Sequence, residues 1–175
     1  MGNYVVSPLS RKQIRYFAAL MRRRFGVEKR LFVPIEKILE IVPLFVEGAN
    51  FEIVEPCELE DGEHAVTELC TKTIKIRRDV YERACNGSGR DRMTIAHEIA
   101  HLFLFCVFGV TLARSFNDGE RKLAYRDPEW QAKCLAGEFM MGVDLVKGMC
   151  ASDVVLECGG SLDAARLHLS KLGKK

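Results

Sequence analysis

The residues best suited to chemistry lie in the stretch Thr94-Ile95-Ala96-His97-Glu98-Ile99-Ala100-His101. It contains His-Glu-x-x-His. On an α-helix, His97 and His101 fall one turn apart on the same face. Two imidazoles placed that way share one tetrahedral zinc ion. Glu98 sits beside them and reaches a metal-bound water as a general base. The competing reading is a core helix that happens to carry two histidines. The residue types weigh against it. One Glu and two His in a run of Ile, Ala, Leu and Phe are costly to bury without partners, and metal and water are such partners.

A catalytic zinc takes three protein ligands and keeps one position open, so a third ligand is required. The remaining histidines are His64, in a turn beside Asp61-Gly62-Glu63, and His168, in the last helical segment. No histidine follows His101 at the close metzincin spacing, which excludes that class. The downstream carboxylates run from Asp118 and Glu120 through Asp127, Glu129 and Glu138 to Asp163. Glu129 and Glu138 share the next strong helix. Glu129 lies in its first turn, where a carboxylate also suits the helix dipole, and it is preferred to Glu138.

These residues need a frame. A chain of 175 residues with 48% apolar and 29% charged residues is one soluble domain with a real core. A net charge of +2 gives no global electrostatic case for nucleic acid. The N-terminus lacks a signal-peptide pattern, and Val6 breaks the myristoylation motif. The apolar run Leu102–Ala113 is too short to span a bilayer. Seven cysteines with no Cys-x-x-Cys pair read as reduced small side chains in a cytoplasmic protein.

Residues 10–25 read as a helix, apolar at Ile14, Phe17, Ala18 and Met21, and stopped by Gly26. Its other face is basic, from Arg11 to Arg24. A solvated face, or a docking surface for an acidic partner, is preferred there to DNA binding, because no second helix follows a short turn. Pro34 opens a helix over Ile35–Ile41. Strand patterns occupy Phe51–Val54, Ala65–Leu69 and Thr71–Ile76, with a turn at Asp61-Gly62. Helix returns over Arg78–Cys85, and the metal helix starts near Arg90. Residues 109–122 read as a polar loop. Asp127-Pro128 caps and starts a helix that runs to about Met141. The tail, residues 142–175, reads as short helical pieces, the last capped near Ser161. The expectation is an α+β fold, with a small, mostly antiparallel sheet of about three strands packed with helices. The metal core spans residues 90–141.

Two segments carry a resemblance. Arg90-Asp91-Arg92-Met93-Thr94-Ile95-Ala96-His97-Glu98-Ile99-Ala100-His101 resembles the core motif of the ImmA/IrrE family of metallopeptidases. Asp127-Pro128-Glu129-Trp130-Gln131-Ala132, followed by Leu135-Ala136-Gly137-Glu138-Phe139-Met140-Met141, resembles that family's second motif. The resemblance implies a zincin-like metal helix at the centre of the fold and Glu129 as third zinc ligand. Lys133, Leu135 and Gly142 depart from the usual Asn, Phe and Pro. These departures touch helix packing and leave every ligand and the general base in place. The resemblance further implies a cytoplasmic zinc endopeptidase of phage or mobile-element type, with manganese as a possible substitute. Its partner would be a helix-turn-helix repressor or an antitoxin-like regulator. Tyr125 and Arg126, close in sequence to Glu129, are candidate donors to a developing oxyanion; structural packing and a surface charge are the plainer roles for them. The rival of a different class is a non-proteolytic protein that binds such a regulator through the same fold. An intact Glu98 argues against that rival, since a pure binding module has no use for a general base.

Overall fold

The computed structural model describes residues 4–114 and 123–172. The chain opens with β1 (Tyr4–Val6) and α1 (Arg11–Arg24), followed by α2 (Ile35–Ile41) and β2 (Asn50–Val54). Next come β3 (Ala65–Glu68), β4 (Thr73–Arg77) and α3 (Arg78–Cys85). The central helix α4 (Gly89–Cys106) precedes β5 (Leu112–Arg114) and α5 (Pro128–Met140). The tail holds α6 (Val143–Val146), α7 (Ala151–Cys158) and α8 (Leu162–Leu172). The fold is α+β. None of the described helices is long and apolar enough to cross a membrane.

The three-stranded sheet has the order β2-β4-β3. Its β3–β4 pair is antiparallel, with Thr67 opposite Ile74, but β2 runs parallel to β4, with Ile53 opposite Ile76. The sheet is therefore mixed, where a mostly antiparallel one was expected. The chain leaves β2, passes through β3 at the far edge and returns to the centre as β4, so β2 and β4 point the same way. A second, two-stranded antiparallel sheet joins β1 to β5, pairing Val6 with Leu112. This corrects the loop reading of residues 109–122 at Leu112–Arg114. The rest of that stretch, with the ligand candidates Asp118 and Glu120, lies outside the described residues.

Helix α4 is the axis of the core. Ile95, Ile99, Leu102 and Leu104 are fully buried on it. Its N-terminus is held by charge as well as by a cap. The Ser88 hydroxyl faces the Asp91 amide at 3.5 Å, and Arg83 forks onto the Asp91 carboxylate at 2.9 and 3.1 Å. Arg92, 2% exposed, donates to Glu36 at 2.8 Å, to the Gly159 carbonyl at 3.0 Å and to the Val33 carbonyl, tying α4 to the α2 and α7 segments. At Gly89 a β-carbon would lie 2.4 Å from the Gly160 carbonyl oxygen, so only glycine lets the two backbones approach so closely.

The arginines of α1 have structural partners. Arg22 is buried and donates to the carbonyls of Phe139, Val27 and Arg30. Arg15 forks onto Glu138 at 3.1 and 3.2 Å, and Arg11 approaches the same carboxylate at 3.7 Å. Arg23 pairs with Glu28, and Arg24 lies over the Phe45 ring. The helix thus docks on α5 through charges that look solvent-facing in sequence. The seven cysteines are all free thiols. Only Cys134 and Cys158 are buried, while Cys85 is exposed and Cys106 half-buried.

Candidate metal centre

Helix α4 presents His97 and His101 on one face, as a spacing of four dictates. Their Nε2 atoms lie 3.0 Å apart, with the ring planes at 88°. Phe105, one turn further on, lies nearly parallel to the His101 ring, with 6.3 Å between centroids. Glu129 arrives from α5. Its Oε2 is 3.1 Å from His97 Nε2 and its Oε1 is 3.3 Å from His101 Nε2. The two histidines and Glu129 form a group whose ligand atoms all lie within 4.8 Å of one another. His64, His168 and Glu138 stand outside it.

The first turn of α5 is pinned on both sides, which is what fixes Glu129. Asp127 caps the helix by accepting from the Glu129 amide at 3.0 Å. Pro128 occupies the first helical position, where its missing N–H costs nothing. Gln131 is fully buried and donates through Nε2 to the Ser7 and Tyr125 carbonyls, both at 2.8 Å. The amide thus ties the start of α5 to the segment after β1 and to the 3₁₀ turn Ala124–Arg126.

The donor set matches a divalent ion. Ligands about 2.0–2.1 Å from a tetrahedral zinc are separated from each other by roughly 3.3 Å, close to the observed 3.0, 3.1 and 3.3 Å edges. Hydrogen bonds alone leave this cluster short of protons. Two Nε2 atoms face each other, so at least one must carry hydrogen for them to bond. Glu129 Oε1 is buried and accepts no hydrogen bond among the described residues. A cation bound by all three groups satisfies them with both imidazoles neutral and their protons on Nδ1. The nearby imidazoles of His101 and then His97 hold the Glu129 carboxyl well below the usual carboxylate range, against an opposing effect of burial. A carboxylate is ionised near neutral pH, the form that metal ligation needs.

Glu98 lies one position on from His97 and is 7% exposed. Its Oε2 accepts from the Thr67 hydroxyl at 2.8 Å, and that hydroxyl is also 3.0 Å from the Glu98 carbonyl oxygen. Thr67 belongs to β3, an edge strand, and was not visible as a site residue in sequence. The only hint was its place in an alternating strand, which says nothing of which helix lies opposite. A cleft of about 390 Å³ opens over the cluster between β3 and the start of α5. Its walls include Val66, Thr67, Glu98, Phe105, Pro128 and the three donor residues. Tyr125 and Arg126 are not among its lining residues. The Tyr125 side chain is 44% exposed, and its backbone carbonyl accepts from Leu9 and Gln131.

Comparison with protein-family models, with curated protein sequences and with solved structures gave no match.

Proposed function

We propose that this protein is a zinc-dependent endopeptidase in which His97, His101 and Glu129 hold the metal and Glu98 is the general base. The observation that carries this reading is the convergence of two imidazoles and an otherwise unpartnered carboxylate oxygen beside a buried glutamate, at the floor of an open cleft. Zinc bound by such a set supplies Lewis acidity and brings the pKa of water toward neutrality. Manganese suits the same imidazole and carboxylate donors less strongly.

The chain's own residues divide the remaining work. Thr67 engages Glu98 Oε2, which fixes the side-chain rotamer and leaves Oε1 to take a proton from the attacking water. The same carboxylic acid then returns that proton to the leaving amine. A peptide substrate has a template in β3. This strand is bonded to β4 along one edge, and among the described residues no strand covers the other. Its residues Ala65, Val66 and Thr67 line the cleft. A free strand edge takes up an extended peptide through main-chain hydrogen bonds, and it positions one carbonyl beside the metal donors.

The substrate we propose is a helix-turn-helix repressor or an antitoxin-like regulator. This part rests on the resemblance of the segments 90–101 and 127–141 to the ImmA/IrrE peptidases.

The test is a pair of measurements on one variant. Glu98→Gln is expected to keep its zinc content while turnover of a repressor substrate falls about 10²–10⁴-fold. Undiminished cleavage by Glu98→Gln would remove Glu98 from its role. Stable binding of the regulator with no cleavage by the zinc-loaded wild type would establish the interaction-protein reading instead.

A further inference from the structure

A second and larger cavity, about 530 Å³, lies on the other side of His97. It lies between α1, α4, α5 and α8 and opens to solvent, and His97 is a wall common to both spaces. Three features set it apart from a packing gap. First, its surface is mostly apolar, built from side chains such as Met93, Trp130, Met141 and Leu167. Second, its charged lining residues are all basic: Arg11, Arg90, Lys133 and Lys171. Arg90, Lys133 and Lys171 make no ion pair among the described residues, unlike Arg11, which lies 3.7 Å from Glu138. Third, His168 in its wall is 5% exposed, and its Nε2 has no hydrogen-bond partner among the described residues.

We propose that this cavity binds a free, single-chain anionic amphiphile, of the class of a medium-chain carboxylate, with its tail on the Met93–Trp130–Leu167 surface and its headgroup at the Lys133 and Lys171 end. The volume falls in the range of small-ligand pockets and exceeds what one side chain needs. The sign of the rim selects an anion. The helical walls select an acyl tail over a peptide. Backbone groups within helices are already paired, so a peptide main chain buried here would lose its hydrogen bonds to water without replacement. An alkyl tail carries no such groups. The cleft over the metal donors is built the other way, with a strand edge in its wall. This inference stands independently of the peptidase reading.

Trp130 is the only tryptophan of the chain, so the emission comes from a side chain in the wall of this cavity. Titration with decanoate below its micelle concentration is expected to give a saturable change with one site per chain. It should appear in zinc-loaded and chelator-treated protein alike, so failure of the metal assignment would leave the result untouched. Affinity should rise about fourfold per methylene from octanoate to decanoate. Decanol should bind at least about tenfold more weakly, and decyltrimethylammonium should not bind, because each loses the attraction of the basic rim. The double variant Lys133→Glu/Lys171→Glu changes two solvent-reachable side chains and should weaken decanoate at least about tenfold, with an unchanged circular dichroism spectrum. Equal binding of all three amphiphiles, or unchanged decanoate affinity in that variant, would overturn the proposal. So would a response only to an acidic, leucine-rich peptide, or only to anionic phospholipid vesicles.

Discussion

Glu129 and Glu138 sit on the same helix, nine residues apart, and have opposite surroundings. At about 100° per residue, nine positions turn α5 by half a revolution, so the two carboxylates leave opposite faces. Glu138 points toward α1 and is neutralised. Its side chain is 1% exposed, and Arg15 and Arg11 supply permanent positive charge. Glu129 points toward α4 and, among the described residues, is paired only with imidazoles, with one oxygen buried and without a hydrogen bond. The first is a finished ion pair whose charges are balanced within the chain. The second is a set of electron-pair donors that lacks a positive centre. A buried acid is evidence of a metal site only when the protein itself fails to balance it.

The sharpest way to break this contrast is to strip Glu138 of its counter-charges. Arg11→Ala/Arg15→Ala leaves an unpaired carboxylate in the core, and unfolding by denaturant should show a loss of about 3–5 kcal/mol. Zinc affinity should be almost unchanged, because neither arginine touches the donor group. Glu129→Gln should do the reverse. Zinc affinity, measured against a competing chelator, should fall by about 100-fold or more, since even outer partners of metal ligands are worth 10–100-fold. The metal-free protein should lose clearly less stability than the arginine pair costs, since the Glu129 side chain is 35% exposed and its contacts with the imidazoles are screened by solvent. If Glu129→Gln destabilises the metal-free fold as much as the arginine pair does, the two carboxylates serve the same structural purpose and the contrast fails. Between these lies Asp127→Ala. Removing the cap should cost about 1 kcal/mol and weaken zinc binding only modestly, by loosening the turn that presents Glu129.

What could be read from sequence follows the range of the forces involved. The bounds of α2 and α3, and the Asp127 cap, are set by residues within one helical turn, and the structure repeats them. The choice of Glu129 over Glu138 was also local, resting on its place in the first turn of α5. The parallel pairing of β2 with β4 and the β1–β5 ribbon depend on partners far along the chain, and three-residue strands carry almost no pattern of their own. Arg22 reads as solvent-facing because its type is usually exposed. Its burial depends on three carbonyls supplied by other segments. Thr67 became a partner of Glu98 only when β3 was laid against α4, a packing that no local rule specifies.

The smallest expected effect concerns His168, which lies on the Glu138 side of the molecule. Burial pushes its imidazole below the ordinary value, while the Glu138 charge pulls it up and Arg11 and Arg15 push it down. A histidine with a lowered folded-state pKa binds its proton more readily when the chain is unfolded. Its contribution to stability is therefore fully present above the unfolded value of about 6.5 and is lost as pH falls toward the folded value. In metal-free protein the melting temperature should drop between about pH 7 and pH 5.5, and the drop should be shallower in His168→Gln. In Glu138→Gln the one opposing charge is gone, so the imidazole becomes still harder to protonate in the fold and the drop should be steeper. A Glu138→Gln profile parallel to that of the wild type would show that Glu138 exerts no field on its own side of α5. The ion pair with Arg11 and Arg15 would then be complete enough to screen it.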